Sequence, residues 1–215
     1  MDLIFDTDAI ESSKRYAAWR DAICDCYVHV DVQATHPEDY RGFIRETRFG
    51  DVVLTDILLS EQRIRRDDRH ISRLDKECYY LQFIRRGRIN VLQRGVMHDS
   101  DPTRGAIFSA AEPYELQCIG EARSLYLELP RDQFASRFPS ARIPVSATLR
   151  TTQGLGRIAA EFCDTLAVEG SKLEGDVRAR LGGQLMDILA LFILIADRDA
   201  AVADATVRQI RLWSI

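Results

Sequence analysis

The sequence predicts an α+β protein: an antiparallel β barrel of the jelly-roll kind, preceded by one helix and followed by a helical hairpin. Three observations carry this. Tyr16, Trp19 and Ile23 recur at helical spacing within SSKRYAAWRDAIC, the apolar period falls to two from Cys26 to about Leu129, and it returns to the helical value after Pro130.

The first helix is expected over residues 13–24, with an apolar stripe that needs something to cover. In YVHVDV, Val28, Val30 and Val32 share one face, and Tyr27, His29 and Asp31 the other. Further strands are expected at 43–48, 52–60, 62–66, 78–85, 88–93, 106–109 and 114–119. RSLYLEL closes the series, with Leu125, Leu127 and Leu129 opposed to Ser124, Tyr126 and Glu128. Phe49-Gly50-Asp51 and Arg86-Gly87 read as hairpin turns. So many short antiparallel strands favour a small barrel or jelly roll over a parallel sheet, and such barrels often keep a ligand cavity.

A short helix is expected at 132–138, then a proline-punctuated connection, FPSARIPVSATLR. Leu155, Ile158, Ala159, Phe162 and Leu166 share one face of the next helix, and a second long helix starts near residue 174. It contains ILALFILIA, nine apolar residues bracketed by Asp187 and Asp197. A bilayer crossing needs about 20, so no membrane is implied and protein must enclose the run. Leaving four of its large side chains wet forgoes roughly 6–12 kcal/mol, at about 1.5–3 each. That rivals the roughly 5–15 kcal/mol stability of a whole domain. One face can pack on the barrel or on the preceding helix and a second subunit is the natural cover for the rest, which makes Leu181, Leu185, Ile188, Leu189, Phe192 and Ile195 the expected interface of a homodimer.

The last segment, ATVRQIRLWSI, places Thr206 as an N-cap and Val207, Ile210 and Leu212 or Trp213 on an apolar side. A helix interrupted there points to a longer parent protein. The expected division is 1–130 for the first helix and barrel, 131–200 for a helical dimerisation region, and 201–215 for the start of a linker helix.

With 215 residues, 46% hydrophobic and 29% charged, the chain can bury one generous core or a β core with a helical appendage. A net charge of −4 excludes a chain that grips DNA through phosphates by itself. MDLIFDTDAI has neither a basic leader nor an apolar signal stretch, so the expected compartment is the cytoplasm. Five cysteines with no CxxC pair argue against a disulfide framework, and Cys24-Asp25-Cys26 reads as two half-buried residues near a helix end.

Trp19 in the first helix, RGFIRETRFGDVVLTDILLSEQRIRR, YYLQFIRRGRINVLQRG and RGAIFSAAEPYELQC followed by LYLELPRDQF together form a familiar order. The chain resembles the N-terminal AraC-binding-like, cupin-type domain of AraC/XylS transcription regulators over nearly its full length, through loose hydrophobic patterns with no invariant catalytic string. The resemblance implies a barrel that binds a small effector and helices that pair two subunits. It also implies a separate C-terminal domain whose two helix-turn-helix motifs grip promoter DNA. No such pair of motifs follows Trp213, so contact with promoter DNA is expected only through a domain outside these residues.

The main rival is a metal-dependent cupin enzyme acting on a small molecule, and a ligand-independent dimerisation module is the other. A catalytic metal needs about three converging imidazole or carboxylate ligands, whereas His29, His36, His70 and His98 stand alone without an HxH pair. There is no GxSxG elbow and no spacing that pairs a cysteine with a histidine, and Gly154-Leu155-Gly156 reads as a helix entry. No catalytic residue, metal or cofactor is therefore assigned. For the effector, Tyr80 and Gln82 share a face with Ile84, opposite Tyr79, Leu81 and Phe83, and either face could line the cavity. Arg66 would suit a carboxylate through its planar fork, although RIRRDDRH is first of all a solvated charge run. Tyr114 opens the strand after Pro113, and Trp19 fits a plug of the barrel end better than a ligand stack.

Overall fold

The computed structural model describes residues 1–73, 76–139, 143–145 and 149–212. Along them run β1 (Asp2–Asp6), α1 (Arg15–Cys26), β2 (Asp31–Ala34), β3 (Gly42–Phe49), β4 (Val52–Leu59), β5 (Gln62–Arg66), α2 (Asp68–Arg73) and β6 (Cys78–Gln93). There follow β7 (Val96–Ser100), β8 (Arg104–Ser109), β9 (Tyr114–Pro130), α3 (Arg131–Ala135), β10 (Leu149–Arg150), α4 (Gly154–Glu169) and α5 (Gly175–Leu212).

The long strands β6 and β9 organise the fold. They pair antiparallel from Cys78↔Pro130 to Gln93↔Tyr114, and each passes from one half of a doubled sheet into the other. Their Cys78/Pro130 ends join β1, β3, β4, β8 and β10, whereas their Gln93/Tyr114 ends join β2, β5 and β7. The result is an open, cupin-like jelly roll whose two halves face each other. The strand crosses between halves at register shifts around Arg86. Gly87 sits there at φ 82°, and a Cβ on it would come within 2.5 Å of the Glu121 carbonyl oxygen. Arg86-Gly87 is thus a bulge inside one strand, which corrects the expectation of a hairpin turn. Gly50, at φ 62°, does form the expected turn between Phe49 and Val52.

Two cores result, one on each side of the larger half-sheet. Tyr79, Leu81, Phe83, Leu125, Leu127 and Leu129 point outward, where α4 and α5 cover them with Ala159, Cys163, Leu185, Leu189 and Ile193. Tyr80, Ile84 and Tyr126 point inward with Trp19, Ile23, Ile57, Ile89 and Phe108. The alternation along one strand therefore serves both cores. Tyr27 to Val30 forms an irregular segment ahead of β2, where a strand from residue 27 was expected, yet Val28, Val30 and Val32 are all buried as their spacing required.

α5 is one continuous helix to Leu212, so Thr206 lies within a helix and does not begin one; Trp213 lies outside the described residues. By length and composition its Gly175–Ala200 stretch could cross a membrane. Leu185, Leu189 and Ile193 are nevertheless fully covered by the sheet and α4, which is how a core helix packs. The expectation that Leu185, Leu189 and Phe192 need a second subunit is corrected: this chain buries them itself, to 0%, 0% and 4% exposure. Contact with the sheet is close, since a Cβ on Gly182 would lie 2.0 Å from the Phe49 carbonyl oxygen. What α5 leaves outside is narrower: Leu191 is 51% and Ile195 40% exposed, with Leu181 and Ile188 half-buried beside them.

Candidate functional site

Between the inner faces lies a cavity of about 40 Å³, lined among others by Tyr27, Gln62, Tyr80, Phe108, Tyr114 and Tyr126. Ile23 of α1 and Val28 and Val30 of the irregular segment form part of its wall. Among the described residues, three side chains bond carbonyls of that segment: Lys76 Nζ donates to Tyr27 (3.0 Å), Arg66 Nη1 to His29 (2.9 Å) and Cys24 Sγ to Val30 (3.7 Å). Lys76 also pairs with Glu128 at 2.6 Å.

The polar groups around the cavity are few and placed by specific bonds. Gln62, at the start of β5, accepts at Oε1 from Trp19 Nε1 (3.0 Å) and Tyr40 Oη (2.8 Å), while its Nε2 has no partner among the described residues. Tyr80 Oη and Tyr27 Oη likewise have no nitrogen or oxygen partner among the described residues, and Tyr80 Oη faces the buried Cys78 thiol. Tyr126 Oη donates to Gln82 Oε1 (2.6 Å), and Gln82 Nε2 donates to Ser100 Oγ (2.8 Å). Desolvation raises the pKa of the Tyr27, Tyr80, Tyr114 and Tyr126 phenols and pushes the Cys118 thiol up to about 12, so all of these groups stay neutral near pH 7.

Of the expected effector residues, Tyr80 and Tyr114 line the cavity. Gln82 stands behind it through Tyr126, and Trp19 stands behind Gln62, fully buried and in ring contact with Phe5 (5.9 Å) and Tyr40 (5.2 Å). Arg66 requires a correction. It is 1% exposed and its guanidinium donates to the backbone, with Nε bonding the Ala110 carbonyl at 2.9 Å as well as the bond to His29. A buried cation must have its donors satisfied, and carbonyls from two distant segments take two of them here. Tyr27, Gln62 and Tyr126 were not anticipated. The sequence signal for Gln62 was a polar residue opening a strand whose inward partner is Ile64.

The histidines lie apart. His70 on α2 faces Asp67 (Nδ1 to Oδ1 2.8 Å) and Asp31 (3.6 Å), His36 pairs with Glu38, His29 is exposed, and His98 sits on β7 with its pKa lowered by burial. Among the described residues, no group of three or more His, Cys, Asp or Glu side chains converges as metal ligands would. A wider, open groove of about 750 Å³ separates the larger half-sheet from α4. Its arginines are matched with acids: Arg85 with Asp164, Arg123 with Asp56 (2.9 and 2.6 Å), and Arg157 with Glu161 (2.6 Å).

The described residues thus form a cupin-like jelly roll with an internal cavity and a helical layer packed on its outer face. The chain belongs to the AraC-binding-like domain family, whose model matches residues 19–194. Among solved structures it is similar to the AraC-like transcriptional activator CuxR, with a TM-score of 0.77 at 13% identity, covering 88% of this chain and 69% of that one. A protein of Bacillus sp. (strain OxB-1), described as an uncharacterized protein in the nit 5′ region, is 22% identical over 191 residues. That match covers 88% of this chain and 74% of the relative.

Proposed function

We propose that this chain is the sensing and pairing part of a cytoplasmic AraC/XylS-type transcription regulator. The barrel, within residues 1–130, takes up a small organic effector, and the helices from 131 to 200 pair two subunits. The 201–215 stretch leads toward a separate DNA-reading domain, because the chain's acidic balance suits it poorly to phosphate contacts. No catalytic step is assigned to it.

The observation that carries the sensing role is the apolar cavity between the sheet halves with buried polar atoms, unpartnered among the described residues, on its wall. Its present size matters as much. A cavity of roughly 150 Å³ holds benzene, so a ring-sized effector does not fit 40 Å³ until the wall moves. The Tyr27–Val30 segment, without regular structure and held by a few side-chain bonds, is the wall best able to do so. An effector thus binds one arrangement better than the other, which is what linkage to a distant surface requires.

Pairing is supported by Leu191 and Ile195 on α5 and Ile158 on α4, large apolar side chains on the helical layer that the chain leaves uncovered. Sedimentation velocity tests it: the chain is expected to run as a dimer at high micromolar concentration, and a monomer there contradicts the pairing role.

A further inference from the structure

We propose that the barrel ligand is a small uncharged aromatic compound carrying one hydrogen-bond acceptor at its edge, such as a carbonyl, a nitrile or a ring nitrogen. This rests on the reading of the barrel as a ligand site and narrows it to a chemical class.

The orientation of Gln62 comes first. An indole N–H can only donate, so the atom facing Trp19 Nε1 at 3.0 Å must be the amide oxygen. Tyr40 Oη donates to the same oxygen. The NH₂ end, unpartnered on a residue 2% exposed that lines the cavity, is left to offer protons. Tyr80 Oη, on a residue also 2% exposed, and Tyr27 Oη add two buried hydroxyls without a hydrogen-bond partner among the described residues. Tyr126 spends its proton on Gln82. The wall therefore has donors waiting for an acceptor.

Charge narrows the class further. No Asp, Glu, Lys, Arg or His is among the described residues lining the cavity. The Arg66 guanidinium is bonded to the carbonyls of His29 and Ala110 and is not part of the wall. A carboxylate entering here would lose its hydration with no cation on the wall against it: Arg66 and Lys76 stand behind Tyr114 and Tyr80, the first bonded to backbone carbonyls and the second paired with Glu128. A sugar fares no better, because most of its hydroxyls would find no partner among Ile, Val, Leu and aromatic neighbours.

Shape supplies the last restriction. Tyr126, Tyr27, Tyr80, Phe108 and Tyr114 form a run of touching rings, with centroid distances of 6.3, 6.0, 5.5 and 4.9 Å. Rings in tilted and edge-on contact offer a flat aromatic guest the same packing they make with one another.

The test is calorimetric titration and thermal melting of the 215-residue chain with acetophenone, benzonitrile, sodium benzoate and glucose. Acetophenone or benzonitrile is expected to bind saturably and raise the melting temperature, with benzoate at least tenfold weaker and glucose not binding. Tyr80→Phe should melt like the parent chain and bind the neutral probe threefold to tenfold more weakly. Gln62→Leu, assayed in the cold below its melting transition, should also bind it more weakly. Benzoate or glucose binding as tightly as the neutral probes overturns the ligand class but leaves the barrel as a ligand site. So does unchanged affinity for the neutral probe in both variants. Absence of saturable binding by any of the aromatic probes overturns both readings.

Discussion

Trp19 on α1 and Gln62 on β5 are joined inside the barrel end by an indole-to-amide hydrogen bond of 3.0 Å, and Tyr40 reaches the same amide oxygen at 2.8 Å. Gln62→Leu removes one acceptor and strands two buried donors. At roughly 1–3 kcal/mol for each stranded group, the variant should lose about 2–6 kcal/mol of stability, measured by urea denaturation. An unchanged denaturation midpoint would show that α1 is not anchored this way.

Gly182 and Gly183 are neighbours on α5 with opposite surroundings. A Cβ at Gly182 meets the Phe49 carbonyl oxygen at 2.0 Å, whereas one at Gly183 meets nothing within 4 Å. Gly182→Ala should therefore force the helix off the sheet and cost about 1–3 kcal/mol or more. Gly183→Ala should stabilise by up to roughly 1 kcal/mol through helix propensity. Thermal melting of the two variants separates them, and equal effects would contradict the packing of α5 on β3.

Leu189 and Leu191 divide the apolar run between core and surface. Leu189→Ala opens a hole in a fully buried site and should cost about 2–5 kcal/mol. Leu191→Glu, at a position 51% exposed, should leave the melting temperature of the isolated subunit nearly unchanged while shifting the sedimentation coefficient from dimer to monomer. A Leu191→Glu chain that still sediments as a dimer would move the pairing surface elsewhere.

The sequence made the two-core plan legible only in part. Period-two alternation separated Tyr80, Gln82 and Ile84 from Tyr79, Leu81 and Phe83, but both faces are apolar because both are buried, so their direction could not be told. The nine-residue run in α5 looked too apolar for one subunit because periodicity does not show how much the sheet and α4 together cover. Only Leu191 and Ile195 remain well exposed along it. Arg66 misled for a different reason. Its partners include backbone carbonyls 37 and 44 residues away, which side-chain chemistry in a sequence does not reveal. Gly87 marked a left-handed backbone correctly, but a bulge and a turn ask for the same residue.

Asp101 predicts a pH dependence. It accepts bonds from the Thr103 backbone N–H (2.8 Å), the Thr103 hydroxyl (2.5 Å) and Arg104 (2.7 Å), which lower its pKa from 3.8 to about 2. The folded state thus binds this proton less readily than the unfolded one. Its contribution is complete above about pH 4 and disappears as pH falls through about 2. Asp101→Asn should flatten the acid limb of the stability–pH curve in that window and leave the curve's shape near pH 7 unchanged. An unaltered acid limb would contradict the assignment.

The most direct measurement of the barrel as a sensor is a methyl NMR spectrum of the chain, labelled at isoleucine, during titration with acetophenone. Ile23, Ile57, Ile64 and Ile89 line the cavity, whereas Ile107 and Ile193 belong to the core beneath the helices. Saturable shifts centred on the first four, with much smaller changes at Ile107 and Ile193, are the predicted result. Shifts confined to surface methyls such as Ile158 and Ile195, or no shifts at all, would contradict it.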